Sequence, residues 1–296
     1  MARDAKWLAH LDMQAFQETT IGDFLIEEFE EEFGGDQEGL SFDIEALVGE
    51  LHSITAYGVD VGADSALESG LVARTGDKAK AMIDVYIASQ ELEREVKTGF
   101  KKLEGKDYLT YLAGNEVYLS FPSDGLLIAS KSFDRIERAL AVIEGEVEDL
   151  SGIDSELLLS DASEFFFLAT ASGIDSVDGV PAQARLLQKA KGGLIELGER
   201  ESQLVSNIHL VTDGPDVSNQ LARIVQGMVA LASFTEVGGE RLDRLMESVS
   251  VEDSDDRVSI SLSYPAHEIV RLLGAIVGDG PDRNAASNSK AESGED

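Results

Sequence analysis

The 296-residue chain has no cysteine, which excludes disulfides, thiolate metal sites, iron–sulfur clusters and cysteine nucleophiles. Basic side chains are scarce: 24 Lys and Arg stand against 57 Asp and Glu, a formal net charge of −33. Nucleic-acid binding draws much of its affinity from phosphate neutralisation by Lys and Arg, so the composition excludes that class, and it disfavours anionic membrane surfaces on the same ground. No run approaches the ~18 apolar residues of a membrane-spanning helix. The opening Met1-Ala-Arg-Asp-Ala-Lys6 lacks an apolar signal region. There is no P-loop, no G-x-G-x-x-G following a strand and no G-x-S-x-G elbow. Serines such as Ser120 and Ser263 read as outward residues of alternating strands.

The hydrophobic share is 43%, enough for a sizeable core and too much for a disordered chain. Its patterning repeats. Ser65 to Thr75 aligns with Ser202 to Thr212, and Leu126 to Gly145 aligns with Ser259 to Gly278. This predicts an α+β fold of two related units, an internal duplication. Each unit is expected to be a largely antiparallel sheet with helices packed on one face. The first unit is 1–150, the second and leaner one 151–278, and a disordered polar tail follows over 279–296.

The spacing predicts strands at Lys6–Met13, Ser53–Val61, Ala66–Thr75, Arg94–Phe100, Tyr108–Ala113, Glu116–Phe121 and Leu126–Ser130 in the first unit. Helices are expected over Gln14–Phe33, ending at Gly34-Gly35, over Asp43–Val48, over Asp77–Ser89 with Asp77 as cap, and over Phe133–Ile143 with Ser132 as cap. A linker with a helical patch at Asp154–Leu159 leads to a second unit. That unit has a strand from Glu164, a helix over Ala182–Gly198, a strand Gln203–Thr212 and a long helix from Asp216 to Phe234. It then has a helix Glu240–Glu247, a hairpin of Ser248–Val251 and Arg257–Ser263, and a last helix Ala266–Val277. In the cluster Phe165-Phe166-Phe167 the pattern reads as core, with an apolar pocket or contact surface as the other reading.

Candidate sites are few. His10 and Asp12 leave one face of a strand, and a His with a carboxylate can bind a divalent metal or act as a base pair. No third ligand follows at a useful spacing, so a pair of polar strand residues is the plainer reading. Asp253 and Asp255, in the acidic turn Glu252 to Asp256, superficially resemble a calcium loop but lack its central glycine and its final glutamate. A solvated turn is the plainer reading, as it is for the acidic helix face Glu27 to Glu32. His10, His52, His209 and His267 are far apart in sequence, and His10 and His209 would converge only if the two sheets met. No catalytic or cofactor-binding residue is assigned, and no cofactor is expected.

The opening Ala5-Lys-Trp7-Leu-Ala9-His10-Leu-Asp12, followed by Ile21-Gly22-Asp-Phe-Leu25, resembles the start of a group of uncharacterised bacterial secreted or envelope α+β repeat proteins. Those begin with an A-x-W-x-A-H-x-D strand and an I-G-x-x-L helix. The ending Ser263-Tyr-Pro-Ala-His-Glu268 is similar to theirs. The resemblance implies export, with a leader removed, and the duplicated α+β build; it carries over no activity and no site residue.

These readings lead to a non-enzymatic, exported structural or interaction protein, secreted or in the cell envelope, with an acidic, salt-adapted surface and an unknown protein partner or cations as partners. One alternative is a small-ligand carrier or hydrolase-like enzyme with its site between the units, where His10, Asp12, His52 and His209 would be the first residues to suspect. Another is a divalent-cation-dependent adhesion or matrix protein. A cytoplasmic protein of a halophile is the alternative location.

Overall fold

The computed structural model describes residues 3–33, 44–60, 69–92, 98–102, 109–113, 117–150, 165–176, 187–237 and 239–278. The expected tail, the Gly34-Gly35 helix stop and the Asp154–Leu159 patch lie outside them. The first half runs β1 (Trp7–Asp12), α1 (Met13–Gln17), α2 (Thr20–Phe33), α3 (Ile44–Glu50), β2 (Leu51–Gly58), β3 (Ser69–Thr75) and α4 (Ala79–Leu92). It continues with β4 (Thr98–Lys102), β5 (Leu109–Ala113), β6 (Val117–Ser123), β7 (Leu126–Ser130) and α5 (Phe133–Ile143). The second half runs β8 (Phe167–Ser172), β9 (Gly192–Arg200), β10 (Gln203–Val211), α6 (Pro215–Ala232), β11 (Glu236–Val237) and β12 (Glu240–Arg241). It ends with α7 (Asp243–Glu247), β13 (Val249–Ser254), β14 (Arg257–Pro265) and α8 (Ala266–Gly278).

Twelve strands join in one antiparallel sheet, in the order β13-β14-β10-β9-β8-β1-β2-β3-β7-β6-β5-β4. The halves meet at the β1–β8 pair, with Trp7 opposite Ala171 and Leu11 opposite Phe167. Outward from this seam the order is β1-β2-β3-β7-β6 on one side and β8-β9-β10-β14-β13 on the other.

Cross-strand register assigns the faces, because directly opposed residues point the same way. Ile128, Val72, Thr55, His10, Leu168, Glu196, Asn207 and Ser261 form one transverse row. α5 packs on that face, burying Ile136, Ala139 and Leu140 against Ile128. Leu210 and Val258 point to the opposite face and bury Leu221 and Ala222 of α6. The sheet is therefore covered from both sides. β14 shows the expected alternation: Val258 is buried, while Arg257, Ser261 and Ser263 are exposed. The free edge at β13 is shielded by α6, whose Gln226 donates to the Val251 carbonyl at 3.3 Å.

Five local expectations are corrected. Residues 192–200, expected at the end of a helix over Ala182–Gly198, form β9, preceded by a 3₁₀ turn at Leu187–Lys189. The β9–β10 hairpin closes on Glu201 and Ser202 with φ of 50° and 61°, a left-handed pair that Gly or Asn usually supplies. Gly192 lets β9 lie against β8: a Cβ there would come 2.9 Å from the Ala171 carbonyl oxygen. The expected helix Gln14–Phe33 breaks into α1 and α2, because the Thr19 hydroxyl donates to the Phe16 carbonyl at 2.7 Å and accepts from the Gly22 amide at 2.9 Å. At the start of α4 the acceptor for the Lys78 amide is Glu50, at 3.1 Å, where Asp77 was expected to cap. Ser120 is buried rather than outward, and its hydroxyl has no hydrogen-bond partner among the described residues. Ser132 occupies the cap position of α5, but its side chain makes no cap hydrogen bond.

Candidate functional site

The polar candidates do not assemble. His10 is half-buried on β1, its Nδ1 2.8 Å from Thr55 Oγ1 on the neighbouring strand. Burial lowers its pKa, Asp12 opposes that shift and Arg74 adds to it. Asp12 caps α1, accepting from the Ala15 amide at 3.0 Å. His209 repeats the arrangement on β10, with Nδ1 3.0 Å from Ser259 Oγ. Burial lowers its pKa, Glu196 opposes that shift and Arg257 adds to it. The sheets of the two halves do meet, yet β8 and β9 stand between His10 and His209. His52 is exposed beside the irregularity of β2 between Leu51 and Ser53. His267 is exposed on α8, 3.7 Å from the Glu268 carboxylate.

Asp253 accepts from Asn219 of α6 at 3.2 Å. Asp255 turns the β13–β14 hairpin with φ of 38°. Among the described residues no group of three or more His, Asp and Glu side chains stands close enough to hold a metal ion.

The concave feature lies on the other side of the seam. A pocket of about 280 Å³ is lined by Leu11 of β1, Phe16 of α1 and Ile21 and Leu25 of α2 from the first half. The second half supplies Phe166 and Phe167 at the start of β8, Leu197 of β9, Leu204 of β10 and Ile269 of α8. Every lining residue is apolar. The pocket is closer to an open groove than to an enclosed cavity, and its apolar walls suit one face of an apolar molecule.

Each wall has a local cause. Leu11 and Phe167 are register partners across the seam, and Leu197 and Leu204 flank the β9–β10 hairpin on the same face. The rings of Phe16 and Phe166 meet at 5.3 Å between centroids. The α1–α2 corner turns α2 over the sheet, and Phe24 of α2 lies against Gly274 of α8. Phe166 serves as core and pocket wall at once. None of His10, Asp12, His52 or His209 borders the pocket. Apart from the Phe165–Phe167 cluster, no sequence signal marked its lining, because apolar residues on seven elements look alike until folding gathers them.

An α+β protein with one broad antiparallel sheet has a counterpart among solved structures. The chain is similar to TP0453 in its crystal form III, with a TM-score of 0.52 and 10% sequence identity over 93% of this chain and 98% of that one. Crystal forms IV and I of the same protein give TM-scores of 0.49 at 10% identity. At this identity the likeness shows the fold alone. No protein-family model matches the chain, and no curated protein matches it. Among the described residues no helix is long and apolar enough to cross a membrane.

Proposed function

We propose that the protein is a non-enzymatic, exported carrier of a compact apolar molecule, held in the seam pocket. The observation that carries this reading is the lining: two halves of the chain converge on one cavity and contribute only apolar side chains to it. Binding there draws on the hydrophobic effect and on shape, and it asks for no metal, nucleophile or general base. The matching strand order on either side of the seam supports an internal duplication, with the pocket where the copies join. The opening strand, which resembles those of exported bacterial proteins, supports an envelope or secreted location.

The test is a fluorescence titration with N-phenylnaphthylamine, a neutral apolar fluorophore that the −33 surface does not repel. Saturable binding is expected. Ile269→Trp, which fills the cavity, is expected to weaken it at least about tenfold, or ~1.4 kcal/mol. Val85→Ser, at an exposed site on α4, is expected to leave it unchanged. Absence of saturable binding, or equal loss in both variants, would reject the carrier.

A second reading, a protein acting through its surface, is favoured by the apolar C-terminal end of α6. Met228 and Leu231 are 52% and 72% exposed on the helix, and Phe234 in the turn just beyond it is 79% exposed. Leu231→Lys with Phe234→Ser would then abolish a pull-down interaction while leaving fluorophore binding intact.

A further inference from the structure

The N-terminus of α2 is held by the opposite half of the chain. Thr20 donates its hydroxyl to Glu199 Oε1 at 2.6 Å, and the Ile21 amide donates to Glu199 Oε2 at 3.4 Å. The first amides of a helix have no intrahelical acceptor, and a carboxylate placed there also meets the positive end of the helix dipole. Here the carboxylate comes from β9, 179 residues from Thr20 along the chain. Glu199 follows the pocket residue Leu197 by two positions, so both side chains leave the same face of the strand. Glu199 also stands directly opposite the pocket residue Leu204. On the helix side, Ile21 is both the residue whose amide is held and a pocket wall, with Leu25 one turn further on.

Beyond that first turn two apolar side chains of α2 stand partly open. Leu25 is 39% exposed and Phe29 45%. The α1–α2 corner at Thr19 and Gly22 is tight, since a Cβ on Gly22 would fall 1.9 Å from the Phe16 carbonyl oxygen. The helix is thus pivoted at a tight corner, pinned at its first turn to the hairpin that forms the pocket floor, and packed on α8 through Phe24, with Leu25 and Phe29 partly open to solvent.

We infer that Glu199 is a latch: its bonds to Thr20 and the Ile21 amide hold α2 in place at the open rim of the seam pocket, and their release swings α2 away to widen the mouth for the ligand. The inference rests on the carrier reading and adds its gate. A latch predicts that entry and exit of the ligand are limited by breaking these bonds, while the pocket that receives it is unchanged.

Stopped-flow mixing with N-phenylnaphthylamine, paired with amide hydrogen exchange, tests it on the full chain. Glu199→Ala removes both acceptors, Thr20→Val removes one donor on the other side of the contact, and Glu199→Gln keeps a neutral acceptor. Association and dissociation rates are expected to rise together several-fold in the first two variants and to return most of the way in the third. Amides of residues 20–26 are expected to exchange faster while those of β8 and β9 keep wild-type protection. Wild-type rates and exchange in both Glu199→Ala and Thr20→Val, with the fluorophore still bound, would overturn the latch and leave the carrier standing. No fluorophore binding by the wild type would remove the carrier and the gate together.

Discussion

Phe16 on α1 and Phe166 at the start of β8 stack at a tilt, 5.3 Å between centroids and 56° between planes, and so fasten the first half of the chain to the second beneath the pocket. The pair gains from edge-and-face attraction beyond its buried area. Phe166 is only 6% exposed. Phe166→Ala is expected to lower unfolding free energy by about 3–5 kcal/mol, measured by urea denaturation. A loss below ~1 kcal/mol would mean that the ring does not join the halves.

Gly22 sets the angle between α1 and α2. Gly22→Ala places a methyl group into the Phe16 carbonyl, at a position where backbone rather than a side-chain tip must yield. The expected destabilisation is about 2–3 kcal/mol, at the upper part of the overpacking range. Fluorophore affinity is expected to fall as well, since Phe16, Ile21 and Leu25 all shift with the corner. A variant as stable as wild type would show that the corner can relax without cost.

His10 and His209 give the fold a defined pH response. Both imidazoles have pKa values lowered by burial from the ordinary 6.5. In the window just below 6.5 the unfolded chain binds more protons than the folded one, so stability from these groups is complete above that pH and is lost as pH falls towards their folded pKa values. Proton NMR of the two rings is expected to give midpoints below 6.5. Acidification also relieves the repulsion among carboxylates, so the stability comparison is wild type against His209→Gln at each pH. The wild type is expected to lose more between pH 7 and about 5.5, and parallel curves would remove the effect.

The charge of −33 makes ionic strength a stability variable. Lowering the Debye length from ~30 Å to ~3 Å, between about 0.01 M and 1 M salt, is expected to raise the melting temperature smoothly. Magnesium or calcium at matched ionic strength is expected to add nothing, because Asp253 and Asp255 occupy a hairpin turn. A further rise of several degrees with sub-millimolar divalent cation would instead indicate a formed site.

What the sequence made legible follows from where the physics is local. The alternation along Arg257–Pro265 and the helical stripe of Phe133–Ile143 each report a half-buried element, and both elements lie where the pattern placed them. β9 was not legible, since Ala182–Gly198 reads as a helix and Glu201-Ser202 gives no turn signal. Its strand conformation is imposed by β8 and β10 on either side. The α1–α2 break depends on one hydroxyl, that of Thr19, reaching back to a carbonyl. For the site, the residues with chemical character were the ones noticed, and they serve as caps, turns and cross-strand pairs. The pocket is made of residues chosen by register and corner geometry, which no window of sequence contains.

The β1–β8 seam also sets a schedule. Residues 7–11 pair with residues 167–171, so the central ladder cannot close until more than half of the chain has been made. Until then β1 has an open side with unpaired backbone groups, the kind of edge that invites pairing with another chain. Loops this long also slow the search for the native pairing. A molecule built this way is exposed to aggregation chiefly during synthesis, and its dense negative charge, which costs compactness once folded, keeps nascent copies apart while the second half arrives.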